Sequence, residues 1–214
     1  MKLGNILIYG DSYSTYEGWI PEGYACYYTI QKKENEPFLP DVEHTWWYPI
    51  VSREGNRLVE NNSWSGSTVC HTGWHGVDTS KTSSFLCRLE KHIAEGFFEK
   101  QTIDTVFIFG LTNDIWSRAP LGEEKYEDFR EEDLFCVLPA ISYMLKRLQE
   151  VTPTSRVVWL ANSGIPTRIA DTLRTSCERF GAEVLFLAPF EKGDGHPTAK
   201  GMGEITAQID AFFA

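Results

Sequence analysis

Residues 6–14 read Ile6-Leu7-Ile8-Tyr9-Gly10-Asp11-Ser12-Tyr13-Ser14, an apolar run that breaks into a glycine-led turn. The run predicts a buried strand. A strand that ends in glycine can turn tightly enough to hold the next side chains at the C-terminal edge of a sheet, where open α/β sheets place their ligands. Ser12 is therefore a candidate nucleophile. Gly, Asp and Ser are also ordinary turn residues, so the stretch takes its meaning from the segments that lie further along the chain.

Five short apolar runs, near residues 4–9, 57–62, 105–110, 156–161 and 183–188, alternate with helix-like stretches. That is the pattern of βα units closing on a parallel sheet. Val106-Phe107-Ile108-Phe109 and Val184-Leu185-Phe186-Leu187 are apolar throughout, so both faces of the sheet should be covered by helices. Arg57-Leu58-Val59-Glu60-Asn61-Asn62 is the most polar run and belongs at a sheet edge. Apolar residues recur at helical spacing in four sets: Phe85, Leu89, Ile93 and Phe97; Leu134, Leu138, Ile141, Leu145 and Leu148; Ile169, Leu173, Cys177 and Phe180; and Met202, Ile205, Ile209 and Phe212. Pro139 should end or kink the second of these, and Gly55 and Gly181 fall where helices end.

The 214 residues suit one compact domain spanning 1–214. A formal charge of −10, from 30 acidic against 20 basic residues, opposes nucleic acid backbones and anionic membrane surfaces as partners. The cysteines, Cys26, Cys70, Cys87, Cys136 and Cys177, are odd in number and include no C-x-x-C pair, so they read as reduced thiols. Met1-Lys2-Leu3-Gly4 leads straight into the first strand and no run approaches a membrane span, which gives the expectation of a cytoplasmic protein, although a trimmed signal would leave the same picture. The stretch from about residue 16 to 45 is far longer than an ordinary βα loop and carries Trp19, Tyr24, Tyr27, Tyr28 and Phe38. It reads as a wall or lid over the Ser12 turn, or as an ordered loop covering a sheet edge.

Three later stretches stand at the ends of predicted strands. Asn61-Asn62-Ser63-Trp64-Ser65-Gly66-Ser67-Thr68 offers the Gly66 N–H in a turn of small polar residues, as an oxyanion donor requires. Gly110-Leu111-Thr112-Asn113-Asp114 closes the most hydrophobic strand; the Asn113 amide can donate to an oxyanion without bringing in a charge, or simply form a turn. Glu191-Lys192-Gly193-Asp194-Gly195-His196-Pro197-Thr198 sets His196 in a loop just before the last helix, where it can face Ser12. His71 and His75, near Gly66, compete weakly, and His44 and His92 read as ordinary loop and helix-face residues.

In this order the four stretches resemble the SGNH hydrolases, the superfamily that includes the GDSL esterases and lipases, over nearly the whole chain. Trp46-Trp47 and His196-Pro197-Thr198-Ala199-Lys200-Gly201-Met202 strengthen the likeness to small bacterial members. The resemblance implies a three-layer α/β/α sandwich, flavodoxin-like, with a five-stranded parallel sheet in the order 2-1-3-4-5. It also implies a serine esterase with Ser12 and His196 as catalytic pair, and Ser12, Gly66 and Asn113 as oxyanion hole. No cofactor and no metal is implied, and the sequence has neither a phosphate loop nor a dinucleotide fingerprint.

The family's acid normally stands three residues before the histidine, a position held here by Gly193. Asp194 is the first choice to replace it, Glu191 the alternative, and a backbone carbonyl a third possibility. Trp19, Trp64, Trp74 and Trp116 fall in or near the loops expected to ring the site; the first, second and fourth are candidates for substrate binding. The expected substrate is a small-molecule or carbohydrate ester, with a short acyl group such as acetyl. Two alternatives are a catalytically impaired glycan-binding protein and a flavodoxin-like binding module.

Overall fold

The computed structural model describes residues 2–32, 34 and 36–214. Strands β1 (Gly4–Gly10), β2 (Asn56–Ser63), β3 (Thr105–Gly110), β4 (Arg156–Ala161) and β5 (Glu183–Phe186) form one sheet in the order β2-β1-β3-β4-β5, every neighbouring pair parallel. All six residues of β3 are buried, whereas β2 is half-buried and lies at an edge, as its polarity requires. In chain order the helices are α1 (Tyr48–Val51), α2 (Phe85–Ala94), α3 (Phe97–Lys100), α4 (Thr112–Trp116), α5 (Val137–Val151), α6 (Thr167–Phe180) and α7 (Ala199–Phe212).

Alternation along each strand divides the core in two. Leu7, Tyr9, Val106 and Ile108 pack with Phe85 and Leu89 of α2, Ile141 and Leu145 of α5, and Leu173 of α6. Ile6, Ile8, Phe107 and Phe109 face the other way, onto Trp46, Trp47, Ile50 and the Met202, Ile205 and Ile209 stripe of α7. Each such side chain taken out of water contributes about 1.5–3 kcal/mol. The result is the expected three-layer α/β/α sandwich. Among the described residues no helix is long and apolar enough to cross a membrane, and no two cysteines are joined in a disulfide.

Two helix boundaries differ from the periodicity. Phe97 does not continue α2, because Gly96 at φ 66 breaks the helix and Phe97 opens the separate α3. Leu134 lies in a 3-10 turn (Glu131–Phe135), and Pro139 sits in the first turn of α5, where its missing N–H has no helical partner to lose.

Candidate active site

The turn after β1 is built around close approach. A Cβ on Gly10 would lie 2.5 Å from atoms of Ser14 and Ser63, so only glycine lets β1 and β2 come together there. Asp11 caps the 3-10 turn Ser12–Ser14 by accepting the Tyr13 N–H at 3.0 Å, and its other oxygen is buried without a partner. Burial pushes the Asp11 carboxyl up to about 7. The far end of the turn is held by buried donors: Trp47 Nε1 and Asn61 Nδ2 reach the Ser14 carbonyl at 2.9 and 2.8 Å, and Trp46 Nε1 reaches Ser14 Oγ at 3.1 Å.

His196 arrives on a hairpin that pairs Lys192–Gly193 with His196–Pro197. Its Nε2 lies 3.0 Å from Ser12 Oγ. Its Nδ1 lies 3.1 Å from the main-chain carbonyl of Asp194. A carbonyl only accepts, so Nδ1 carries the ring proton and Nε2 presents a lone pair to the serine hydroxyl. Burial, the largest influence on the ring, holds its pKa below the ordinary 6.5, which keeps it neutral and basic at neutral pH.

Neither acid expected from the sequence brings its carboxylate to the ring. Asp194 serves through its peptide oxygen, at φ 47 in the left-handed region. The Glu191 carboxylate accepts instead from Thr198 Oγ1 at 2.6 Å and Lys200 Nζ at 3.1 Å, bracing the start of α7. The reason is geometric, since the left-handed turn of the hairpin at Asp194 presents its carbonyl, not its side chain, to Nδ1.

Gly66 at φ 80 lies in the loop after β2, with open space where a Cβ would stand. Asn113, in the first turn of α4, donates from Nδ2 to the Ser67 carbonyl at 3.0 Å, which ties it to the loop that carries the other expected donor, Gly66. Leu111, just before α4, is held at φ 80, unusual for a side chain of its size. Asp114 anchors the same region by accepting the N–H groups of Val69 and Cys70 at 2.9 and 3.1 Å, and burial pushes its carboxyl up to about 6.

Beneath these turns lies Arg88, 1% exposed. It donates to the Gly10 carbonyl and Ser67 Oγ at 3.1 Å each, to Asn62 Oδ1 at 2.9 Å, to the Ser83 carbonyl at 3.0 Å and to the Asn62 carbonyl. One guanidinium thus ties the serine turn to the Gly66 loop. Nothing in the spacing of α2 announced it except an arginine on the apolar stripe side. His92, one turn further on, is likewise no surface residue; it is buried against Tyr9 Oη at 2.7 Å and Glu60 at 3.1 Å.

The tryptophans separate. Trp116 stands edge-on to His196 with ring centres 6.2 Å apart, and Trp64 lies tilted by 38° against Tyr24, ring centres 4.3 Å apart, beside the Gly66 loop. Trp19 packs instead on Trp47 and Tyr48 at 5.7 and 5.4 Å, because the chain after Ser14 turns back over α1 before it returns to the site. The return brings Tyr27, which sequence reasoning placed only in the long loop: its ring lies flat on the imidazole, centres 3.6 Å apart and planes 8° apart. His71 pairs with Ser84 at 2.8 Å and His44 with Asp41, also at 2.8 Å.

The family model for GDSL-like lipases and acylhydrolases matches residues 4–213. The chain belongs to this family. A protein from Bacteroides ovatus described as a GDSL-like lipase superposes with a TM-score of 0.88 at 34% identity, over 100% of this chain and 99% of the other. A second from Bacteroides uniformis, similarly described, gives 0.87 at 36% identity over 98% and 94%. An acetyl xylan esterase from Butyrivibrio proteoclasticus shares the fold, with a TM-score of 0.62 at 15% identity over 100% of this chain and 64% of that one. No curated protein matches. The GDSL-like sheet and its strand order are those of the family, and the family places the chain among lipases and esterases.

Proposed function

We propose that this GDSL-like protein hydrolyses carboxylic esters through an acyl-enzyme formed on Ser12. The observation that carries the reading is the 3.0 Å approach of Ser12 Oγ to a neutral His196 whose other nitrogen is committed to a carbonyl. Nε2 takes the hydroxyl proton as Oγ attacks the ester carbonyl, then returns it to the departing alcohol; water repeats the cycle on the acyl-enzyme. The oxyanion is received by the N–H groups of Ser12 and Gly66 and the Asn113 amide. The donors need no rearrangement, since Arg88 and Asp114 already hold their loops.

The favoured substrate carries a short acyl group, acetyl above all, on a carbohydrate or other small alcohol. Tyr27 and Trp116 crowd the imidazole, and beside Gly66 the loop presents the partly exposed, polar Ser65. The fold shared with an acetyl xylan esterase is in keeping with this reading.

The deciding experiment is hydrolysis of p-nitrophenyl acetate and p-nitrophenyl octanoate by wild type and Ser12→Ala, with circular dichroism as the folding control. Acetate turnover that vanishes in Ser12→Ala supports the reading. Faster turnover of octanoate overturns the short-acyl preference. Equal rates with and without Ser12 overturn the mechanism and favour a glycan-binding role.

A further inference from the structure

His196 makes its two ring hydrogen bonds to a serine hydroxyl and a peptide carbonyl, so among the described residues no carboxylate is hydrogen-bonded to the ring to orient it, and Asp194 and Glu36 act on its charge only from a distance. What surrounds it is aromatic. Tyr27 covers one face at 3.6 Å and 8°, Tyr13 stands against it at 5.5 Å and 62°, and Trp116 at 6.2 Å and 74°. A flat ring on an imidazole at this distance restricts its rotation, and the negative face of that ring attracts the imidazolium cation.

Tyr27 is itself fixed from both sides of the site. Its N–H donates to Thr15 Oγ1 at 3.0 Å, and Thr15 Oγ1 donates to the Ser12 carbonyl at 3.1 Å. Its ring stands edge-on to Tyr28 at 4.9 Å and 81°, and Tyr28 Oη donates to the Pro197 carbonyl at 2.7 Å, next to His196. The long loop after β1 therefore fastens one aromatic ring to the serine turn and to the histidine hairpin together. Burial pushes the Tyr27 phenol up to about 12, so it is neutral wherever the enzyme would work.

We propose that Tyr27 is the positioning residue that takes over the work of the missing acid, holding the His196 ring in line with Ser12 and stabilising the imidazolium through its π face. This rests on the esterase reading above, because it assigns Tyr27 a part in a proton transfer at His196. The charged groups that also act on the ring are Asp194 and Glu36, which favour its protonated form, and Lys192, which opposes it. All three are left in place by substitution at residue 27.

The test compares Tyr27→Phe, Tyr27→Leu and Tyr27→Met in the full chain, with near-ultraviolet circular dichroism as the folding control. The methionine variant fills the space without a π face should leucine disturb the loop. The readouts are kcat and KM for p-nitrophenyl acetate, the acid limb of the kcat–pH profile, and direct NMR titration of His196. Phenylalanine should keep kcat within about threefold, whereas leucine and methionine should lower it by roughly tenfold or more with little change in KM, and move the His196 titration to lower pH. The proposal is overturned if the folded leucine or methionine variant keeps the wild-type kcat and titration, or if phenylalanine loses as much as they do. If Ser12→Ala leaves hydrolysis unchanged, the esterase reading fails first; a His196 titration that still moves in Tyr27→Leu would then keep the ring contact while removing its catalytic meaning.

Discussion

At the scale of single residues, the requirement at position 194 is a peptide oxygen in a left-handed turn, which aspartate, asparagine and glycine all provide. Asp194→Asn should therefore keep kcat for p-nitrophenyl acetate within about threefold, where losing a true triad carboxylate costs roughly 10⁴. A collapse on that larger scale would return the role to the side chain. Asn113 is different, because in the proposed mechanism its amide is itself an oxyanion donor. Asn113→Ala should cost about 10²–10³ in kcat while melting close to wild type, since one side-chain hydrogen bond to the Ser67 carbonyl is all that the fold loses. The sequence named Tyr27 only as one of several aromatics in a loop read as a wall or lid over the Ser12 turn; the path of that loop decides which of them lands on the imidazole, and loop path has no periodic signature.

At the scale of elements, α2 carries more than its apolar stripe. Arg88 and His92 stand one turn apart on its buried side, and Arg88 alone satisfies oxygens of β1, β2, the Gly66 loop and the turn before α2. Removing a buried cation takes a donor from each of these oxygens, although the Gly10 carbonyl keeps the Trp64 N–H at 3.1 Å. Arg88→Met should lower the unfolding free energy by about 3–5 kcal/mol in urea titration, and the protein that remains folded should be a poor enzyme because its serine turn and Gly66 loop are no longer tied. A loss below about 1 kcal/mol would mean that water replaces the guanidinium without consequence. Helical spacing exposed the layer helices, but a charged residue inside an apolar stripe can be read only once the oxygens above it have been placed.

At the scale of the whole molecule, two carboxyls buried beneath the site make stability depend on pH. Asp11 is raised from 3.8 to about 7 and Asp114 from 3.8 to about 6, each chiefly by desolvation. Between the unfolded and folded values the native state keeps protons that the unfolded chain has released, so this contribution is complete below about pH 4 and is lost as pH rises toward 7. For Asp11 the full range is about 4 kcal/mol. Asp11→Asn keeps the oxygen that caps Tyr13 and removes the titration, so its melting temperature should gain on wild type more at pH 8 than at pH 5; a difference constant across that range would rule out Asp11 as the titrating group. The five strands, the layer helices, and Ser12, Gly66, Asn113 and His196 as candidates at strand ends were legible in the sequence, because apolar periodicity and glycine-led turns are properties of neighbouring residues, whereas the order of the strands was implied only by the resemblance to the SGNH hydrolases. The oxygen that holds Nδ1, the ring that lies on His196, the arginine under the turns and the displacement of Trp19 onto α1 were decided only by tertiary structure. Each depends on contacts between segments far apart in the chain, as Ser12 and His196 are at a separation of 184 residues, and such contacts are set by how layers and loops close in space.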